Sequence, residues 1–258
     1  MRKDLKITIK NEEEIALMRQ AGKYLGQVYE EISQVIRPGM STLELNDIGE
    51  DLIRQKGCIP ECIDYEGFPA AFCISVNNQV VHGIPHKDHF LDEGDIVSVD
   101  TVLSYKGYMA DAARTYPVGH VIEPFMQFIE DTKKAFYEGV KFAKAGNVVN
   151  DISKAIGAYA KAHHYGVVRE LGGHGIGKGM HEDPFVPNYN RIFYKGPVLK
   201  QGMAICIEPM LNYGKRQVDF LEDGWTVITR DDSFSCHYEN TVLITEGEPE
   251  ILTLEPHA

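Results

Sequence analysis

Long apolar runs are absent from this 258-residue chain. None approaches the ~18 consecutive apolar residues of a membrane-spanning helix. The opening stretch Met1-Arg-Lys-Asp-Leu-Lys lacks the apolar centre of a secretory signal, so a cytoplasmic protein is expected. Cysteine is sparse. Cys58, Cys62, Cys73, Cys206 and Cys236 are odd in number and form no Cys-x-x-Cys pair. That removes zinc ribbons and disulfide scaffolds and predicts reduced thiols. Positive charge is also short: 26 Lys and Arg face 38 Asp and Glu, a formal net charge of −12. This balance argues against general or specific nucleic-acid binding. It leaves room for a local basic face, for which Lys133, Lys134, Lys141 and Lys144 are the candidates.

What is present is ordinary globular material, with 43% hydrophobic and 25% charged residues. Ile15, Met18, Gly22, Leu25, Tyr29, Ile32 and Ile36 follow helical spacing. Asn11 and Glu14 offer a capping box for that helix, and Pro38-Gly39 a stop. Ser41 and Glu44 open a second helix running toward Gly57. Strands are expected at Phe72–Val76 and Ile96–Val99, and a hairpin over Val102–Tyr105 and Ala110–Tyr116 turns at Lys106-Gly107. Pro124 opens a third helix ending near Gly146, and a fourth runs from about Asn150 to Tyr165.

The pattern repeats. Leu91-Asp-Glu-Gly-Asp-Ile-Val-Ser-Val-Asp100 aligns without gaps to Leu199-Lys-Gln-Gly-Met-Ala-Ile-Cys-Ile-Glu208. His82-Gly-Ile and His174-Gly-Ile lie upstream, and Asp111 and Glu239 each precede a glycine by eight positions. The shared order points to an internal duplication. It predicts two related halves, roughly 1–120 and 121–258, packed face to face in a single domain with one core and one site.

The repeated polar residues carry the chemistry. Asp100, Asp111, Glu208 and Glu239 converge in such an arrangement, with His174 beside them. A lone carboxylate at a strand end is usually a turn cap or a solvated residue. Here acids follow Ile-Val-Ser-Val and Ala-Ile-Cys-Ile, which read as buried strands, and a buried carboxylate needs a partner. Four carboxylates together repel one another unless some hold protons or cations balance them. Two divalent cations would do so, and oxygen donors with one imidazole suit Mn, Fe(II), Co or Zn. The run Gly172–Gly179 does not read as a phosphate loop, because it lacks the Gly-Lys-Ser/Thr ending and opens no helix. Its glycines would instead let backbone approach a substrate while His174 and His181 project inward. His181-Glu182 is not a His-Glu-x-x-His motif, since Phe185 stands at the fourth following position. His86, His89, His120, His163, His164 and His257 read as solvated side chains.

As a joint pattern, Asp100, Asp111, His174, Glu208 and Glu239, with His82 and His181, resemble the type I methionine aminopeptidases, short bacterial form. The similarity runs over nearly the whole chain, through His82-Gly-Ile-Pro85, Gly173-His-Gly-Ile-Gly177, His181-Glu-Asp-Pro184, Ile207-Glu-Pro209 and Tyr238-Glu-Asn-Thr241. The resemblance implies an α+β pita-bread fold and removal of initiator methionine from nascent chains with a small second residue. It implies two metals bridged by Asp111 and Glu239, with His174 and Glu208 completing one site and Asp100 the other. Glu208 would take the proton of the attacking water, His181 would stabilise the oxyanion and His82 would contact the scissile amide. The methionine pocket would use Cys62, Tyr65, Phe68, Cys73, Met180 and Trp225; for Cys62 and Cys73, core packing is the competing reading. Phe68, Met180 and Asn78 stand where tyrosine, phenylalanine and glutamate are common in the family. The expected partners are nascent N-termini and the ribosome, the expected state is a monomer, and no membrane is involved. Two alternatives stand beside this reading. A proline-directed peptidase of the same fold would carry an extra N-terminal domain, and a binding protein on that scaffold would have broken ligands.

Overall fold

The computed structural model describes residues 6–256, so His257 and the stretch Met1–Leu5 lie outside it. Helix α1 (Glu12–Ser33) begins with the expected reciprocal cap. The Glu14 amide donates to Asn11 Oδ1 at 3.0 Å, and the Asn11 amide donates to Glu14 Oε2 at 3.0 Å. The helix stops at Ser33, ahead of Pro38-Gly39. Pro38 has no N–H to offer the Gln34 carbonyl and steers Arg37 away from helical backbone angles, so the last turn unwinds early. Ile36 therefore lies beyond the helix, partly buried against the first core. Helix α2 (Thr42–Gln55) is capped by Ser41 Oγ, which accepts the Glu44 amide at 3.1 Å. Helix α3 (Glu123–Val140) starts with Pro124 in its first turn and ends before Gly146. Helix α4 (Val149–Ala162) ends before Tyr165, with exposed His163 donating from Nδ1 to the Tyr159 carbonyl, 2.9 Å away.

Eight strands matter for the site: β1 (Cys73–Val76), β2 (Ile96–Tyr105), β3 (Tyr108–Pro117), β4 (Gly173–Gly175), β5 (Glu182–Val186), β6 (Ala204–Ile207), β7 (Ser235–His237) and β8 (Glu239–Leu243). The segments read as Ile96–Val99 and Val102–Tyr105 are one strand. Asp100 and Thr101 continue the pairing opposite Ala113 and Ala112. Lys106 and Gly107 both have positive φ, 50° and 80°, the two-residue turn that matches strand twist.

A nine-stranded sheet runs in the order Ile59–Pro60, β2, β3, β8, β6, β4, β5, with β1 also on β2 and Glu250–Ile251 on β8. All of these pairings are antiparallel. This arrangement corrects the expectation of halves packed face to face around one core. They join edge to edge where β3 pairs β8, and each keeps a core of its own. Leu25, Tyr29, Ile32, Phe72, Val97 and Leu103 lie under α1 and α2. Phe128, Phe136, Ile152, Ile156, Ile205 and Val242 lie under α3 and α4. The reason is physical: edge-to-edge joining gives both seam strands a hydrogen-bonded neighbour, which buried backbone requires. Buried Arg114 fastens the seam, donating to the Glu239 carbonyl at 2.5 Å, Asn240 Oδ1 at 2.8 Å and the Thr253 carbonyl at 3.0 Å.

Candidate metal centre

The antiparallel register places the acids. Asp100 sits opposite Ala113 and Asp111 opposite Val102, so the two aspartates are diagonal neighbours on one face of the β2–β3 hairpin. Glu239 is opposite Ala113 across the seam and shares that face. Thr241 locks Asp111 in place, accepting its amide and donating to its carbonyl, both at 2.9 Å. Glu208 directly follows β6, and its carbonyl accepts the Asn188 amide group at 2.8 Å. His174 reaches the cluster because β4 lies against β6 through Gly173, where a Cβ would stand 2.1 Å from the Cys206 carbonyl oxygen. His174 Nε2 is 3.5 Å from Asp111 Oδ2 and 3.7 Å from Glu208 Oε1. Its Nδ1 is 2.9 Å from the Gly175 carbonyl, so Nδ1 carries the proton and Nε2 faces the acids as a free donor of electrons.

One residue here was not read from the sequence. His237, at the end of β7, is 2% exposed, with Nε2 3.7 Å from Glu208 Oε2 and 3.8 Å from Glu239 Oε2. The available signal was His237-Tyr-Glu239, since alternate residues of an extended chain share a face. The duplication pattern hid it, because Met109, two places before Asp111, offers no counterpart.

Burial dominates the electrostatics. It raises the Asp100 carboxyl well above its usual range, with Asp111 and Glu208 adding to the effect. Burial likewise raises Glu239 well, reinforced by Asp111, Glu208 and Asp100. Glu208 is pushed up to about 7 by burial, with His174 opposing and Asp111 adding. Burial opposes charge on His174, yet its contacts with Asp111 and Glu208 raise its pKa. Desolvation pulls His82 down, and pulls His181 to about 4 and His237 to about 3. These acids therefore hold on to protons unless a nearby positive charge takes their place. Glu239 Oε1 is buried without a hydrogen-bond partner. Asp111, His174, Cys206 and Glu239 bring ligand atoms within 4.8 Å of one another, and so do Glu208, His237 and Glu239. Divalent cations fit both the charge and the donor set. The Cys206 thiol is raised well by burial and the nearby acids, so it stays protonated.

The apolar residues of the expected pocket also assemble. Cys62, Phe68, Ala70, Cys73, Val102 and Met180 form one buried cluster, flanked by Tyr65 and Trp225. Cys73 pairs with Asp100 across β1 and β2, so the cluster adjoins the acids. The Phe68 and Trp225 rings meet edge to face at 5.1 Å. His82 adopts φ +59°, a strained left-handed backbone, with its ring 6.0 Å from that of Trp225. The Tyr65 hydroxyl is 2.7 Å from His181 Nδ1, and the His181 ring packs on His174 at 4.4 Å.

Two expectations are corrected. The glycines of β4 accommodate neighbouring strands rather than a substrate: a Cβ on Gly175 would lie 2.1 Å from the Asp183 carbonyl oxygen. The lysines near the end of α3 are not a free basic face. Lys134, Lys141 and Lys144 pair with Asp131, Glu138 and Glu248.

Comparison with known proteins gives the same picture. The model of metallopeptidase family M24 matches residues 16–246. The methionine aminopeptidase of Clostridium acetobutylicum is 48% identical over 248 residues, covering 96% of this chain and 99% of that protein. The crystal structure of methionine aminopeptidase from Rickettsia prowazekii superposes with a TM-score of 0.93 at 38% identity, covering 96% of this chain and all of that one. The prolidase of Pyrococcus furiosus superposes with a TM-score of 0.77 at 27% identity, but this chain covers only 66% of it. The expected α+β pita-bread architecture is therefore borne out. A family match across almost the whole length, over an acid-rich site that calls for cations, settles the family: the chain belongs to metallopeptidase family M24.

Proposed function

We propose that this enzyme removes N-terminal methionine from nascent polypeptides, preferring a small second residue. The observation that carries the reading is the junction of two features. A sulfur-rich apolar pocket adjoins a cluster of acids, because Cys73 is the cross-strand partner of Asp100. Thioether side chains suit such a soft, polarizable slot. In this reading Asp100, Asp111, His174, Glu208 and Glu239 would together hold two divalent cations. When bound, the cations neutralise the acids, polarise the scissile carbonyl and make water a nucleophile at neutral pH.

The remaining work belongs to the side chains. Glu208 accepts the proton of the attacking water on its carboxylate. His181 is neutral at pH 7. With Nδ1 accepting a hydrogen bond from the Tyr65 hydroxyl, its Nε2–H donates to the developing oxyanion. His82, also neutral, hydrogen-bonds the scissile amide and assists the leaving amine. Crowding near His82 limits the second residue. The fit of relatives along nearly their whole length, with about a third of the prolidase left uncovered, favours this branch over a proline-directed one.

The test compares kcat/KM for Met-Ala-Ser, norleucine-Ala-Ser, Met-Lys-Ser and an Ala-Pro peptide. Met-Ala-Ser should lead, and norleucine should be tolerated, because a methylene-sized change in an apolar pocket is worth only ~1–3 kcal/mol. A preference for Ala-Pro would transfer the enzyme to the proline-directed branch. Equal rates for Met-Ala-Ser and Met-Lys-Ser would remove the crowding argument. Ribosome docking belongs to the same proposal. A cleft of about 910 Å³ supports it: Lys161, Arg169 and Lys215 line it beside Lys154 and Arg216, which pair with Asp151 and Glu170, on a chain that is otherwise acidic. Reversing Lys215 and Arg216 to glutamate should abolish cosedimentation with ribosomes, and unchanged cosedimentation would discard the cleft.

A further inference from the structure

We propose that His237 is a metal ligand, supplying a second imidazole to the cation held by Glu208 and Glu239. The inference rests on the metal-centre reading above and goes beyond its five-residue ligand set. Three observations carry it. His237 is 2% exposed, yet neither ring nitrogen has a hydrogen-bond partner among the described residues. A buried imidazole with both nitrogens unmet loses its hydration without compensation. Its Nε2 is aimed between two carboxylates, 3.7 Å from Glu208 Oε2 and 3.8 Å from Glu239 Oε2. Those separations are too long for hydrogen bonds.

They do fit ligands that share an ion. Donors bound at ~2.0–2.2 Å and separated by ordinary coordination angles stand roughly 3.0–3.6 Å apart. The observed values exceed that span by a few tenths of an ångström. His174 stands in the same relation to the other oxygen of Glu208, at 3.7 Å, so Glu208 lies between two imidazoles. Glu239 Oε1, buried and unpartnered, remains available on the other side. A second nitrogen donor would tilt the site toward borderline metals such as Co²⁺ or Zn²⁺ and away from Mg²⁺.

The test uses the full chain stripped of metal and titrated with Co²⁺, read by calorimetry and by the visible absorption of the bound ion. Wild type, His237→Ala and His237→Gln are compared, with melting temperatures of the metal-free forms. His237→Ala should weaken the tighter Co²⁺ site by about 10–100-fold and shift the absorption bands, since even supporting groups around a metal are worth that much. His237→Gln, which keeps a hydrogen-bonding amide but no imidazole, should fail to restore the wild-type spectrum. If His237→Ala does not fold, His237→Gln alone carries the comparison. An unchanged Kd with superimposable spectra would overturn the proposal. So would full rescue by glutamine, or a fall in metal-free melting temperature with Co²⁺ binding intact. Failure of wild type itself to take up Co²⁺ would instead strike the metal-centre reading.

Discussion

The two halves share one plan and have parted at their connections. In the first, β2 and β3 are joined by the two-residue turn Lys106-Gly107, so Asp100 and Asp111 are held by a continuous hairpin. In the second, β6 and β8 are separated by residues 208–238, which give two strands to each of two small three-stranded sheets completed by Gly166–Val167 and Gln79–Val81. The first half supplies most of the apolar pocket, with Met180 and Trp225 added from the second, and the second supplies His174 and His237. Aspartates stand on the rigid hairpin and longer glutamates on the half with the excursion. The shared plan sets where the carboxylates converge, and the connections set what else surrounds them.

The largest expected effect tests whether both halves are needed. Asp111→Asn and Glu239→Gln should each cost at least about 10³-fold in kcat, because several kcal/mol of charge stabilisation depend on the cations. Each variant should also lose bound metal by elemental analysis. A variant of either half that keeps full activity would break the comparison.

The repeated His-Gly-Ile triplets sharpen it. His174→Ala should release metal. His82→Ala should keep its metal content and lower kcat by ~10²–10⁴-fold, the usual worth of acid–base assistance. If His82→Ala empties the site, the two histidines have not diverged in role.

Legibility followed the same division. The four carboxylates and His174 could be read from the sequence because they recur at matching positions. His237 could not, since its partner position is Met109 and repetition was the signal in use. The helix starts were legible because Asn11 and Ser41 cap through local side chains. The edge-to-edge seam was not, because pairing of β3 with β8 joins residues more than 120 positions apart, and no local pattern records it.

Titration gives a smaller effect. Cations require deprotonated ligands, and Glu208 is held at about 7, with Asp100, Glu239 and His174 also raised. Each must give up a proton on binding, so affinity should fall as pH drops through 7. From pH 8 to pH 6 the loss should reach about tenfold or more, measured by Mn²⁺ titration. Affinity that is flat over this range would mean the acids are already ionised.

The smallest effect concerns the helices. Asn11→Ala and Ser41→Ala should each cost ~1 kcal/mol in denaturant unfolding. Val148→Ala should leave the cap of α4 intact, because there the Asp151 carboxylate accepts the Val148 amide. Equal losses at all three positions would show that the halves are not capped differently.

The central claim is that carboxylates from both halves coexist only by sharing cations. Its most direct test is calorimetric titration of the chelated, full-length protein with Mn²⁺ or Co²⁺, followed at each addition by turnover of Met-Ala-Ser. The account predicts no turnover without metal, uptake of two equivalents, and recovery of activity as they bind. Undiminished turnover in the metal-free protein, or saturation without uptake of metal, would contradict it.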